Sequence, residues 1–244
     1  MKRILISGGN GKFAKSVIQQ KGEHLIFAPP KSRMDITELE DIEAAIEIYK
    51  PDIFLHAAAY TRPMSKHQEN ANISIRNNIM GTCNVVLACI KYNVKLVYIS
   101  TDYVYPGIRG DYNEEDALSP FTGGESDGVA KYGWSKMGGE CAVRMYDNSL
   151  ILRVCMCDHP FPHDYALIDV KKSLMYNFEA AQTVIKLLDE KGVINIGGDA
   201  QSVYDFASKE NPNIKEINRL DVKDVNIAPN TTMNISKLKE ILND

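Results

Sequence analysis

Several features are scarce in this 244-residue chain, and each scarcity excludes something. There is no basic excess: 28 Lys and Arg stand against 32 Asp and Glu, for a formal net charge of -4. A surface built to neutralise phosphates normally shows a clear basic surplus, so nucleic acid is not expected as a partner. No unbroken apolar run reaches the roughly 18–20 residues that span a bilayer, so no membrane partner is expected. Met1 leads at once into "RILISGG", which lacks both the length of a secretory apolar core and a small-residue cleavage site, and a cytoplasmic location is expected. The five cysteines, Cys83, Cys89, Cys141, Cys155 and Cys157, are odd in number, and the closest two have no second pair to complete a zinc site. Buried free thiols are expected instead. His159 and His163 share the loop "DHPFPHDYA" without a third ligand at a metal-site spacing, so no metal is expected. Internal repeats, low-complexity segments and linkers are also missing.

What is present is a soluble composition, 44% hydrophobic and 25% charged, long enough for one large domain or a domain with a small lobe. Short apolar runs alternate with helical patterns over the first two thirds. "RILISGG", "HLIFA", "DIFLHAAA", "KLVYIST" and "LILRVCMC" read as strands too apolar for a sheet with one wet face. Between them, "TELEDIEAAIEIYK" sets Thr37 and Glu40 at capping-box spacing, then repeats Leu39, Ile42, Ala45, Ile46 and Tyr49 at helical intervals before Pro51. Residues 70–92 read as a further helix with Ile75, Ile79, Val86 and Ile90 as apolar positions. Beyond Cys157, "SLMYNFEAAQTVIKLLDEKG" reads as an amphipathic helix stopped by Gly192, "VINIGG" as a strand and "NISKLKEILND" as a closing helix. The alternation predicts an α/β fold of Rossmann type, a doubly wound parallel sheet.

"ISGGNGKFA" follows the first strand directly, with Gly8, Gly11 and Ala14 at three-residue spacing and Lys12 and Phe13 opening the helix. Glycine permits positive φ and lets the backbone approach a pyrophosphate, while the helix N-terminus directs free N–H groups at the anion. A plain strand-to-helix turn has the same composition, but a dinucleotide-binding α/β fold needs the loop at this place. At the end of the second strand, a carboxylate would accept hydrogen bonds from a ribose 2′-OH. "FAPPKSRMDI" offers Lys31, Ser32 and Arg33 there, three groups able to hold a 2′-phosphate. NADP(H) is therefore expected, with NAD(H) as the alternative and a solvated basic turn as the plain reading. Asp35 and Ile36 suit the polar edge and flat face of an adenine, and Asp35 equally suits a turn or a helix entry.

"AKYGWSKMGGE" sets Tyr132 one helical turn before Lys136, on a shared face. A phenol with a pKa of about 10 is a poor general base at neutral pH, and a neighbouring ammonium favours the phenolate. Thr101 ends "KLVYIST" at the carboxyl end of a strand, where α/β sheets place ligand-contacting groups.

The glycine loop, "HAAAYT", "STDYVYPG" and "YGWSK", in that order, resemble the extended short-chain dehydrogenase/reductase family, and within it the dTDP-4-dehydrorhamnose reductases. The likeness runs from Lys2 to about Val154 and returns faintly at "GVINIGG" and "NISKLKEIL". It implies Tyr132 as catalytic acid/base, Lys136 as the group that lowers its pKa and binds the nicotinamide ribose, and Thr101 as the hydrogen-bond partner of the substrate carbonyl. It also implies that Gly8, Gly11, Ala14, Ala57, Ala58 and Ala59 line the cofactor. Residues 1–157 are then the NAD(P)-binding body and residues 158–244 a short substrate lobe interwoven with it. The implied activity is NADPH-dependent reduction of a nucleotide-linked 4-keto-6-deoxy sugar, with a nucleotide sugar as small-molecule partner and a homodimer open. Tyr103 stands where the family's dehydratases carry a second carboxylate, which disfavours dehydration. Epimerisation and a non-catalytic NADP-binding regulatory subunit are the alternatives. The glycine-rich "TGGESDGVAK" reads as a substrate cover or a flexible loop, and Arg153 and the 159–165 loop as candidate phosphate ligands.

Overall fold

The computed structural model describes residues 1–123, 127–223 and 225–243, so the middle of the glycine-rich loop, residues 124–126, lies outside the described residues. Six apolar runs form one all-parallel sheet: β1 (Arg3–Ser7), β2 (Leu25–Phe27), β3 (Ile53–His56), β4 (Lys95–Thr101), β5 (Ser149–Val154) and, from the C-terminal third, β10 (Gly192–Ile196). Their order is β10-β5-β4-β3-β1-β2. Strand alternation splits the core in two. Ile4, Ile6, Leu55, Val97 and Leu152 face α1 (Lys12–Gln19), α7 (Asn177–Lys186) and α9 (Ser236–Leu242), while Leu5, Phe54, Leu96, Tyr98 and Ile151 face α2 (Leu39–Tyr49), α5 (Gly81–Tyr92) and α6 (Gly128–Val143). This double cover explains why the strands carry almost no polar positions.

The remaining elements are short: α3 (Ser65–Glu69), α4 (Ala71–Ser74), α8 (Val203–Ser208), and the two-stranded pairs β6 (Met156–Cys157) with β9 (Met175–Tyr176), β7 (Tyr165–Leu167) with β12 (Lys215–Ile217), and β8 (Lys171–Lys172) with β11 (Gln201–Ser202). They enclose a third core of Val104, Tyr105, Tyr112, Cys155, Phe206 and Met233, among others.

Four expectations change. The capping box at Thr37 does not form: Thr37 gives both its amide and its hydroxyl to the Asp35 carboxylate, each at 3.0 Å, and α2 starts at Leu39 without a side-chain cap. Within residues 70–92 the segment Ile75–Met80 is π-helical, and the wider turn shifts the phase of the inward face. Ser74, Asn78 and Thr82 are therefore buried, while Ile75 and Ile90 are exposed. "LILRVCMC" is two strands, since β6 leaves the main sheet at Cys155 to pair with β9. The helix expected from Ser173 starts at Asn177, where the Glu179 carboxylate accepts the Tyr176 amide at 2.7 Å and ends a strand instead.

Candidate active site

β1 runs to β2 on one side and β3 continues on the other, so a crevice opens outside the carboxyl ends of β1 and β3. Gly8 turns the chain there with φ +75°, and a Cβ on it would lie 2.9 Å from the Ala58 Cα. The Ser7 hydroxyl accepts the Ala58 amide at 3.1 Å and contacts His56 Nδ1 at 2.7 Å, fixing the two strand ends against each other. Ala57, Ala58 and Ala59 are half-buried along this edge. Gly11 closes the turn by donating to the Gly8 carbonyl at 2.7 Å, and Lys12 begins α1. Phe13 and Ala14 turn their side chains into the core, so they can offer a ligand only the amides of the first helical turn, which an α-helix leaves without partners. Lys12 pairs with Asp158 at 2.5 Å across the top of the crevice.

Past β2, Lys31, Ser32 and Arg33 form an exposed 3-10 turn. Asp35 takes the turn-forming role, accepting Thr37 and pairing with Lys31 at 3.2 Å. The expectation of an adenine face at Ile36 is corrected: its side chain is buried in the sheet-to-helix layer against Gly81.

The small residues of "YGWSKMGGE" have a packing cause. A Cβ on Gly133 would lie 2.6 Å from the Tyr103 carbonyl oxygen, and one on Gly139 would lie 2.4 Å from the Tyr98 hydroxyl. Bare backbone at these positions lets α6 press onto the end of β4, which brings Tyr132 to Thr101. The Asp127 carboxylate caps the helix by accepting the Ala130 amide at 2.9 Å. Tyr132, Lys136 and Thr101 are all buried.

Tyr132 and Lys136 leave the same helix face but reach different surroundings. The Tyr132 phenol hydrogen-bonds Thr101, and its ring meets Tyr103 and His67 edge-on at 6.0 and 5.4 Å. The Lys136 Nζ lies 4.0 Å from the Tyr98 ring centroid. Burial raises the phenol's pKa well above its ordinary value, and the charge of Asp102 and the neighbouring Tyr103 add to this, while Thr101 and Arg62 oppose it. Lys136 is not among the groups acting on the phenol, which corrects the expectation that it lowers the Tyr132 pKa in this state. Burial pulls the Lys136 ammonium down to about 7 against the attraction of Glu140. Burial and the Lys136 charge together push His56 to about 3, so its imidazole is neutral.

Several groups at the site carried no motif. The Asp102 carboxylate accepts Lys172 Nζ at 2.6 Å and the Thr231 hydroxyl at 2.7 Å, both from the C-terminal third. His67 is fully buried with Nδ1 2.6 Å from the Ser74 hydroxyl, while its Nε2 has no hydrogen-bond partner among the described residues. Such contacts join residues far apart in sequence, so only the lone lysine and histidine in apolar surroundings could have signalled them. Arg153 is corrected as a phosphate ligand: it is fully buried and bound to Glu140 at 2.9 Å, the Tyr105 hydroxyl at 2.8 Å and the Glu114 carbonyl at 3.0 Å. In the 159–165 loop, His159 lies 3.4 Å from Glu210. A cavity of about 1080 Å³ opens beside the start of α6, between Met64 and Glu69 of the α3 region, Pro120 and Phe121, and Arg219, Leu220 and Ile227 of the C-terminal third.

Known proteins with this geometry are found in both sequence and structure. The chain is 30% identical over 158 residues to a dTDP-4-dehydrorhamnose reductase of Aggregatibacter actinomycetemcomitans, a match covering 63% of this chain and 51% of that protein. It is also 30% identical over 152 residues to methionine adenosyltransferase 2 subunit beta of Rattus norvegicus, covering 58% of this chain and 42% of that one. The chain thus spans about half the length of the curated relatives it matches. A crystal structure of dTDP-4-dehydrorhamnose reductase from Bacillus anthracis, in complex with NADP, superposes with a TM-score of 0.85 at 22% identity over 98% of this chain and 91% of that one, which shows the fold. The RmlD substrate binding domain family matches residues 1–157, and with the sheet order and the ordered motifs this makes the chain a member of that family.

Proposed function

We propose that the chain is an NADPH-dependent reductase of a nucleotide-linked 4-keto-6-deoxy sugar, of the dTDP-4-dehydrorhamnose reductase kind. The observation that carries this reading is the hydrogen bond between Tyr132 and Thr101 at the carboxyl end of β4. The turn at Gly8, the first-turn amides of α1, and exposed Lys31, Ser32 and Arg33 fit a dinucleotide with a 2′-phosphate. NAD(H) is the second candidate. When bound, a reduced nicotinamide supplies hydride to the keto carbon.

Tyr132 supplies the proton. A phenol with a raised pKa holds its proton at neutral pH and releases it only to a stronger base, which the nascent alkoxide at the keto oxygen is. Thr101 orients the phenol, and Lys136 keeps the ribose-binding role that the family likeness gives it. Asp102 is tied to Lys172 and Thr231, which supports reduction over a dehydration that would need it as an acid. The cavity beside α6 is large enough for a sugar nucleotide, and residues 158–244 supply one of its walls, as a substrate lobe would. The same reading puts the protein in the cytoplasm, supported by five free cysteines, and makes a second copy a candidate partner, supported by exposed Ile75, Met80, Leu87 and Ile90.

A second reading, a non-catalytic NADP-binding subunit, is favoured by the likeness to the beta subunits and by the distance Lys136 keeps from the phenol's surroundings. Loss of NADPH absorbance with dTDP- and UDP-4-keto-6-deoxyhexoses separates the two. The reductase reading expects turnover in the wild type and a fall in kcat of about 100-fold or more in Tyr132→Phe. A wild-type chain that binds NADPH and turns over none of these sugars overturns it in favour of the binding subunit.

A further inference from the structure

We propose that Lys172 is a positioning residue for the Tyr132–Thr101 pair: it fixes the Asp102 carboxylate as acceptor of the Thr101 hydroxyl and so leaves the Thr101 oxygen turned to the phenol. This rests on the reductase reading. Asp102 follows Thr101 directly and is buried. One carboxylate oxygen accepts Thr101 Oγ1 at 3.2 Å, and the other accepts Lys172 Nζ at 2.6 Å and Thr231 Oγ1 at 2.7 Å. A hydroxyl has one proton to give. With that proton on Asp102, the Thr101 oxygen is an acceptor, used by the Tyr103 amide at 3.3 Å and by the Tyr132 phenol.

The polarity of this chain depends on the far end. Lys172 is the ion-pair partner of Asp102, and its Nζ also lies 4.1 Å from the centroid of Tyr103, the ring that meets Tyr132 edge-on. Without the ammonium, a buried carboxylate favours its protonated form. A protonated Asp102 donates to Thr101 where it had accepted, and the Thr101 proton swings toward the phenol oxygen, misdirecting the O–H that must reach the substrate. Lys172 lies on β8, and the Thr231 amide donates to the Lys171 carbonyl at 3.1 Å, so two neighbouring backbone segments of the C-terminal third hold the switch closed. The lobe that walls the cavity therefore also sets the hydrogen-bond direction at the reacting centre.

Steady-state kinetics of Lys172→Met should show kcat lower by about 10- to 100-fold with the KM for the sugar nucleotide nearly unchanged. The double variant Asp102→Leu with Lys172→Met replaces both charges by apolar groups and should regain thermal stability. If Lys172 only fastens the lobe, kcat returns with stability, which overturns the proposal; if it sets polarity, kcat stays low because Thr101 has no acceptor. A readout independent of turnover is the 13Cζ resonance of Tyr132, assigned by its loss in Tyr132→Phe. It should move in both variants, and a resonance unmoved in both overturns the proposal even if no ketosugar proves to be a substrate.

Discussion

The Lys136 ammonium lies over the Tyr98 ring, 4.0 Å from its centroid, and takes its electrostatics from burial and from Glu140. A lysine and a tyrosine one turn apart on one helix face can thus share a face without sharing a charge environment. The phenol goes to the strand end and the longer side chain goes beneath it, toward β3 and β4.

That placement makes stability depend on pH. The Lys136 pKa is about 7 in the fold against an ordinary value of 10.5, so between these limits the unfolded chain binds a proton that the native protein does not. Stability relative to Lys136→Met should therefore rise with pH across this window, by at most about 1.4 kcal/mol per pH unit. Urea titrations at pH 6, 8 and 10 check it: the methionine variant should be the more stable at pH 6 and lose that advantage by pH 10. A pH-independent difference would show that the ammonium is solvated in the native state.

Arg153 and Glu140 are both fully buried, and Arg153 has no other carboxylate partner among its described contacts. Glu140→Gln leaves an arginine charge without its counterion and should cost about 3–5 kcal/mol. For a chain of this size that lowers Tm by about 10 °C. NADPH affinity of the folded fraction should be unchanged, because Arg153 does not line the crevice; a selective loss of cofactor binding would restore it as a phosphate ligand.

The parts of the fold legible in sequence were those with a local cause. Strands buried on both faces announce themselves by unbroken Ile, Leu and Val, and the glycine turn after β1 announces itself because Gly8 must take a positive φ. The site was legible where one motif holds one side chain, as at Thr101 and Tyr132. What stayed hidden was decided by tertiary competition. Thr37 has a closer acceptor in Asp35 than in its own helix, the π turn at Ile75–Met80 changes which face is inward, and Lys136 finds an aromatic face that lies 38 residues away in sequence. Lys172 was invisible because its partner is 70 positions distant.

The basic turn after β2 should decide cofactor choice. Lys31 and Arg33 are exposed and form no core contacts, so replacing both by alanine should leave Tm nearly unchanged. Losing two charge-assisted contacts to a 2′-phosphate should weaken NADPH by about 10- to 100-fold and leave NADH almost untouched. Fluorescence titration with both cofactors checks it, and equal NADPH and NADH affinities in the wild type would remove the basis for preferring NADPH.

Two adjacent glycines of α6 should respond in opposite ways to alanine. In a helix interior Gly→Ala is favourable by about 1 kcal/mol when nothing else changes. At Gly138 the new methyl would meet the Ile79 side chain at 3.1 Å, a flexible, half-buried neighbour that can give way, so the substitution should be neutral or slightly stabilising. At Gly139 it would lie 2.4 Å from the Tyr98 hydroxyl, on a fully buried ring that donates to the Lys136 carbonyl and carries the Lys136 ammonium on its face. Relief requires α6 to lift from β4, costing about 1–3 kcal/mol and drawing Tyr132 away from Thr101. Gly139→Ala should then lose stability and kcat together while Gly138→Ala loses neither, as thermal melts and steady-state rates on the same preparations would show. Equal behaviour of the two would mean that the closeness of helix and strand does not position the phenol.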